Sequence, residues 1–329
     1  MTEKSGILLI NIGSPSAPET KAVRKYLSQF LHDKNVIELT RWLWCPILHG
    51  VILRTRPKRS AAAYAKVWRR EDDGSFADEA PLVEITREQA RKLSGRLNMP
   101  VAIGMRYAQP SIEKGLDELI AHGCTHIGVL PMYPQYAGAT TRSGDEAVLK
   151  ALKNKPKMPQ IITLNNYHDD PGYIDVLADS LIAHIDHLDY DPDQVLVSFH
   201  GIPKSSVEKG DPYEAQCEGT FNLLKAHQKT NDLNLTLSFQ SRFGPKEWLT
   251  PYTLTTLLEM PSKGMKNAVV IAPGFPADCL ETLEEIAIEA KHEFLEAGGE
   301  NMSVVPCLNA DDAHIETLAN LIQSKLLIG

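Results

Sequence analysis

Two segments carry the residues best suited to chemistry. Val195-Leu-Val-Ser-Phe-His200-Gly-Ile-Pro203 is an apolar run that ends on a histidine. Asp278-Cys-Leu-Glu281-Thr-Leu-Glu-Glu285-Ile-Ala-Ile-Glu289 sets glutamates four residues apart. An imidazole accepts protons near neutral pH, and imidazole with carboxylate suits a divalent transition metal. On an α-helix, Glu281, Glu285 and Glu289 step about 40° round and ~6 Å up each time, a stripe roughly 12 Å long. Each half also has a plain structural reading. His200 suits a hydrogen-bonded core position, and an acidic stripe suits a solvated helix face near the favourable end of the dipole.

Elements of an α/β protein must bring these residues together. Short apolar runs alternate with longer amphipathic patterns, which predicts a parallel sheet architecture. Strands are expected at 6–12, 100–106, 126–132, 160–165, 194–199, 235–240, 267–273 and 302–307. Helices are expected at 81–97, 111–121, 171–187, 214–228, 279–297 and 311–326. Pro81 and Pro171 suit a first helical turn, and Ser111 and Asp311 suit caps. A chain of 329 residues exceeds one ordinary core, so two domains are expected. The expected division is 1–160, carrying an apolar lip at 41–59, and 161–310, carrying His200 and Glu281; helix 311–326 is expected to pack on the first.

A faint internal repeat accompanies this division. Leu8-Leu-Ile-Asn-Ile-Gly-Ser-Pro15 resembles Leu196-Val-Ser-Phe-His-Gly-Ile-Pro203, and Met105-Arg106-Tyr107 echoes Ser241-Arg242-Phe243. Two four-stranded halves would follow, although any two βαβ units share some likeness. In open parallel sheets ligands bind beyond the carboxyl ends of the strands. Asn11, Arg106, Tyr107, Tyr133, His200, Arg242 and Asn309 all fall there, so a cleft between the halves is the expected site.

Arg41-Trp-Leu-Trp-Cys-Pro-Ile-Leu-His-Gly-Val-Ile-Leu-Arg54 is almost wholly apolar, with Arg56, Lys58 and Arg59 following. It is too short to span a bilayer. A buried helix, a membrane-surface anchor and a hydrophobic lip over a ligand all fit it.

Composition excludes several classes. The net charge is -8, from 42 acids and 34 bases, with no basic stripe for nucleic acid. No Gly-x-Gly-x-x-Gly, Gly-Lys-Ser/Thr or Gly-x-Ser-x-Gly motif follows a strand. The cysteines, at 45, 124, 217, 279 and 307, form no Cys-x-x-Cys pair and read as reduced thiols of an intracellular protein. Cys279 suits a packing thiol, a thiol of lowered pKa or a soft metal ligand. Met1 to Ser5 lacks the features of a signal peptide, so a cytoplasmic protein is expected, peripheral to the inner membrane where the lip touches it.

Four segments together resemble the ferrochelatase family. They are Ser198-Phe-His-Gly-Ile-Pro203, Tyr133-Pro-Gln-Tyr136, Phe239-Gln-Ser-Arg-Phe-Gly244 with Trp248-Leu-Thr-Pro-Tyr252, and Pro273-Gly-Phe-Pro-Ala-Asp-Cys-Leu-Glu-Thr-Leu283. The likeness runs from Gly6 to about Leu321, and Asp-Cys-Leu-Glu-Thr-Leu-Glu-Glu is similar to the Gram-negative bacterial branch. The resemblance implies two Rossmann-like, chelatase-type halves and insertion of Fe(II) into protoporphyrin IX, the terminal step of protohaem synthesis.

It maps the catalytic and metal-binding pair onto His200 and Glu281 and an acidic path onto Glu285 and Glu289. Porphyrin-binding positions fall at Ile12, Arg106, Tyr107, Tyr133, Trp248 and Phe275. Trp42, Trp44 and the nearby arginines suit an aromatic slot and cationic rim for a disc with two carboxylate tails. Fe(II) is then a substrate and no resident cofactor is implied.

Family members with an iron–sulfur cluster carry a cysteine where this chain has Gly138 and three more in a C-terminal tail. This chain has none after Cys307, so no cluster is expected. The partners implied are porphyrin and Fe(II), with a transient membrane contact through 41–59 and no nucleic acid, in a monomer. The acidic loop Asp73-Gly-Ser-Phe-Ala-Asp-Glu-Ala-Pro-Leu82 departs from the family's Gly-Gly-Ser-Pro-Leu, and Ile12 replaces a methionine or tyrosine. A chelatase acting on coproporphyrin or sirohydrochlorin, or a non-catalytic porphyrin carrier, remains the alternative.

Overall fold

The chain forms two compact units in a computed structural model that describes residues 4–153, 155 and 158–327. Met1–Glu3, part of the segment read for a signal peptide, and the terminal Gly329 lie outside the described residues. Unit 1 comprises Met1–Met132, Ala137–Asn165 and Leu318–Gly329, and unit 2 comprises Tyr133–Tyr136 and Asn166–Thr317.

Unit 1 holds strands β1 (Ser5–Asn11), β2 (Val101–Met105), β3 (His126–Pro131) and β4 (Gln160–Thr163), all parallel, in the order β2-β1-β3-β4. Unit 2 holds β5 (Gln194–His200), β6 (Leu235–Gln240), β7 (Asn267–Ile271) and β8 (Asn301–Val304) in the equivalent order β6-β5-β7-β8. The expectation of two similar four-stranded halves is met, strand for strand. Helices on both faces bury Ile7–Ile10 and Val195–Phe199 completely. That double burial explains why these strands read as unbroken apolar runs.

The repeat extends past the sheets. The Met105 amide donates to the Pro110 carbonyl (2.7 Å), and the Phe239 amide donates to the Pro251 carbonyl (2.8 Å). Both prolines follow cis peptides. Met105 therefore corresponds to Phe239, two residues before the Ser241 that sequence likeness suggests, and Arg106 and Arg242 are not equivalent. The longer connection in unit 2 displaces the motif.

Helix boundaries follow local chemistry. Pro81 and Pro171 open Pro81–Leu97 and Pro171–Ile185, and Ser111 caps Ile112–Ala121 by accepting from the Lys114 amide (3.2 Å). The expected helix 279–297 differs. It is a π-helix over Glu281–Ala290, followed by an α-helix at Lys291–Glu296. The Lys291 amide reaches the Ile286 carbonyl, five residues back, the wider π hydrogen bond. A wider turn makes i+4 fall short of a full revolution, where an α-helix overshoots it by about 40°. The glutamate stripe thus winds in the opposite sense to the one expected. Its other side, Ile286, Ala290 and Phe294, packs with Leu196, Ala268 and Val270 of the sheet.

The lip segment is neither buried nor free throughout. Helices Arg41–Ile47 and Leu53–Val67 are joined by a π-turn at Leu48–Ile52. Trp44, Leu48 and Leu53 face inward, whereas Trp42 (76% exposed), Leu43, Ile47 and Val51 face outward. No helix among the described residues is long and apolar enough to cross a membrane.

A buried histidine anchors the loop that leads into the π-helix. His314 Nδ1 donates to the Asn309 carbonyl (2.7 Å), and Asn309 adopts positive φ. Asn309 Nδ2 in turn donates to the Asp278 carboxylate (2.7 Å), and the Asp278 amide donates to Asn309 Oδ1 (2.8 Å). Burial pushes the His314 imidazole down from its ordinary 6.5 to about 4. The unfolded chain therefore takes up this proton first as pH falls. Stability present above pH 6.5 is lost progressively down to about pH 4, by on the order of 3 kcal/mol from this group. His314→Asn, which can keep the donor, should remove that share of the acid dependence whatever its absolute stability. Urea unfolding at a series of pH values between 7 and 4 checks this; an unchanged slope would count against the assignment.

Candidate functional site

Unit 2 assembles the predicted chemistry around the end of β5. His200 pairs with Gln240 at the last register position, so it is the first side chain of the strand to leave the double-buried sheet. Its Nδ1 lies 2.7 Å from the Gly201 carbonyl oxygen. A carbonyl only accepts, so Nδ1 carries the proton and Nε2 presents the lone pair. Behind it, Ser198 donates to Gln240 Oε1 (2.7 Å).

The turn after His200 is fixed by backbone pairing. The Gly201 amide donates to the Gln240 carbonyl (2.8 Å), and the Leu249 amide donates to that of Ile202 (3.1 Å). A Cβ on Gly201 would sit 2.9 Å from the Gln240 oxygen, so only glycine permits this approach. The pairing brings Trp248 to the histidine, with ring centroids 6.5 Å apart, while Phe275 stands 6.4 Å away. One imidazole is thus framed by two aromatic rings.

The glutamates divide by position. Glu281 and Glu285 are half-buried and Glu289 is exposed. Burial pushes the Glu285 carboxyl above its ordinary range. A hydrogen bond from Ser241 Oγ (2.6 Å) and the nearby His200 pull it back, and Glu281 raises it further. His200, Glu281 and Glu285 therefore share one electrostatic neighbourhood. Among the described residues no three His, Cys, Asp or Glu side chains are close enough to hold a metal, so this is not a closed cage. Cys279 is buried, and burial first, then Glu281, pushes its thiol well up. Of the readings offered for Cys279, burial favours the packing thiol and goes against a thiol of lowered pKa.

Tyr133 is half-buried and begins a short strap held to unit 2. Gln135 Nε2 donates to Thr220 Oγ1 (2.9 Å), and the Tyr136 amide donates to Gln216 Oε1 (2.7 Å).

In unit 1, Ile12 is half-buried at the end of β1, next to Gly13. Gly13 has φ +92°, and a Cβ there would run into the Tyr107 carbonyl oxygen. Arg106 and Tyr107 converge on Asp33, a residue that sequence inspection missed. Asp33 accepts from Arg106 Nη2 (2.5 Å), Ser143 Oγ (2.5 Å) and Tyr107 Oη (2.9 Å). Burial alone would raise its carboxyl, but Ser143, the Asn35 amide, Tyr107 and the Arg106 charge together hold it below the ordinary range. Arg106 is thus already committed to a carboxylate, and Tyr107 is buried with its ring edge-on to Phe30 at 5.2 Å. The expectation that Trp44 lines an aromatic slot is corrected. Trp44 is 5% exposed and its Nε1 donates to the Leu31 carbonyl (2.7 Å).

Ser241 was also missed as a partner of Glu285. Its place inside Phe239-Gln-Ser-Arg-Phe-Gly244 is the one sequence signal it has.

Comparison with known proteins bears on the chain as a whole. The Ferrochelatase family model matches residues 4–326. A protein of Vibrio parahaemolyticus named ferrochelatase is 46% identical over 323 residues, covering 98% of each chain. One of Brucella canis, also named ferrochelatase, is 44% identical over 328 residues, covering 98% of this chain and 92% of the other. Among solved structures, SirB from Bacillus subtilis with Fe3+ superimposes with a TM-score of 0.55 at 13% identity, over 98% of this chain and 96% of that one. That likeness supports the chelatase-type fold alone. On the strength of the family model and the full-length identity, this chain belongs to the ferrochelatase family.

Proposed function

We propose that the chain inserts Fe(II) into protoporphyrin IX to form protohaem, with His200 as the proton acceptor. The observation that carries this reading is the state of His200. Its Nδ1 proton is committed to the Gly201 carbonyl (2.7 Å), so Nε2 is the one ring atom able to take a proton or touch a metal. Metallation of a porphyrin releases two pyrrole protons, and a neutral imidazole is a suitable acceptor near pH 7. Trp248 and Phe275 flank that atom's ring and suit the apolar face of a macrocycle. Ile12, Arg106, Tyr107 and Tyr133 are the remaining proposed porphyrin contacts, with Arg106 and Tyr107 acting from their Asp33 network.

Glu281 is the proposed partner of His200 in handling Fe(II), and Glu285 and Glu289 are an acidic path along the π-helix. A metal that must be given up is better served by two or three loose ligands than by a cage. The carboxylate of Glu289 is exposed, while Glu285 and Glu281 are both half-buried. Burial makes Glu285 reluctant to hold its charge, which weakens its grip on a cation. Trp42, Leu43, Ile47 and Val51 beside Arg54, Lys58 and Arg59 suit shallow contact with a membrane surface. We place the enzyme in the cytoplasm at the inner-membrane periphery, as a monomer without an iron–sulfur cluster.

The absorption change on metallation tests the reading directly. Purified protein with Fe(II) or Zn(II) should turn over protoporphyrin faster than coproporphyrin or sirohydrochlorin, and inactivity with all three rings would sink the proposal. His200→Ala and Glu281→Ala should each lower kcat by about 10²-fold or more, with near-normal rates refuting the roles assigned.

Ser241→Ala gives a finer test. Losing this hydrogen bond removes support for the Glu285 carboxylate and moves its pKa further up. Activity that needs the charged form, and falls as pH drops through that pKa, should then fail at higher pH. The acid limb of the kcat/KM profile should move to higher pH. An unmoved limb would mean the Glu285 charge is not required.

A further inference from the structure

Two histidines away from the proposed catalytic residues meet nitrogen to nitrogen. His32 follows the helix Thr20–Leu31, and His49 lies in the π-turn Leu48–Ile52. Their Nε2 atoms are 3.3 Å apart, and their ring centroids 5.1 Å. His32 Nδ1 lies 2.5 Å from the Ser28 carbonyl oxygen. That acceptor fixes the proton on Nδ1 and leaves the Nε2 lone pair aimed at His49. A ring nitrogen tied to a backbone carbonyl while its opposite nitrogen faces outward is the usual support of a metal-ligating histidine.

The separation is itself informative. Two imidazole nitrogens bound to Zn(II) at ~2.0–2.1 Å with tetrahedral geometry stand ~3.3–3.4 Å apart, whereas right-angle coordination would bring them to about 2.9 Å. The observed 3.3 Å therefore suits a tetrahedral ion. Hard cations such as Mg(II) and Ca(II) prefer oxygen and are disfavoured.

The pair is also held from both sides. Trp44 Nε1 donates to the Leu31 carbonyl (2.7 Å), and Arg24 Nε donates to the Leu53 carbonyl (2.9 Å). These bonds tie Thr20–Leu31 to the segment carrying His49 without either imidazole. His49 is exposed and His32 half-buried, so an ion can reach them from solvent.

We propose that His32 and His49 form a binding site for a tetrahedral borderline divalent cation of the Zn(II) class, with two positions left for solvent or a small exogenous ligand. It joins the end of a core helix to the lip and is independent of the catalytic reading. The competing account is a plain ring-to-ring hydrogen bond in which His49 donates to His32.

Equilibrium dialysis of the full chain against Zn(II), and the visible spectrum with Co(II), separate the two. His49→Ala changes an exposed side chain, and circular dichroism checks that it folds. It should bind one equivalent of zinc fewer than the unaltered protein and lose the intense bands of tetrahedral cobalt. His32→Ala should do the same, whereas His200→Ala should keep those bands. Equal zinc stoichiometry in the unaltered protein and His49→Ala, or cobalt bands that survive His49→Ala, would overturn the proposal and leave the hydrogen bond.

Discussion

A parallel strand covered by helices on both faces admits no uncompensated polar side chain until it leaves the sheet. In unit 2, Val195 to Phe199 are fully buried with Ser198 satisfied by Gln240, and His200 is the first residue beyond that restriction. The same rule holds in unit 1, where Ile7 to Ile10 are buried and Asn11, Ile12 and Gly13 follow. Burial thus concentrates chemistry at one end of each sheet. The sharp turns there are fixed by glycines whose absent Cβ lets two backbones touch, at Gly13 against Tyr107 and at Gly201 against Gln240.

Placement alone does not make the imidazole useful; its electrostatic surroundings do. The Gly201 carbonyl selects the tautomer with Nε2 free. The π-helix carries Glu281 and Glu285 in the neighbourhood while its opposite side, Ile286 and Ala290, stays in the core. Burial raises the Glu285 carboxyl above its ordinary range. The Ser241 hydrogen bond and the nearby His200 oppose that rise and favour its charged form.

Much of the frame was legible in the sequence because buried parallel strands read as continuous apolar runs. All eight strands lie where those runs fall, and Pro81 and Pro171 mark helix starts by their chemistry. The features that were not legible depend on tertiary partners. Whether Glu281–Ala290 bonds to the fourth or fifth preceding residue is set by packing, and the spacing of glutamates is compatible with both. Asp33 meets Arg106 and Ser143 across 73 and 110 residues of chain. Trp42 and Trp44, two apart on one helix, point about 200° apart, and which of them turns inward depends on tertiary partners such as the Leu31 carbonyl that accepts from Trp44.

The repeat explains why one half resembles the other yet differs in chemistry. Each unit returns its chain to the sheet by the same hydrogen bond, Met105 to Pro110 and Phe239 to Pro251. The connection is longer in unit 2, and the added length carries Ser241, which reaches Glu285, and Trp248, which faces His200. In unit 1 the corresponding short connection delivers Arg106 and Tyr107 to Asp33, closing a buried polar network. The difference therefore lies in a loop hung on a shared frame. A sheet whose interior must be apolar has little room to vary, while the loop beyond its carboxyl end varies at small cost in stability.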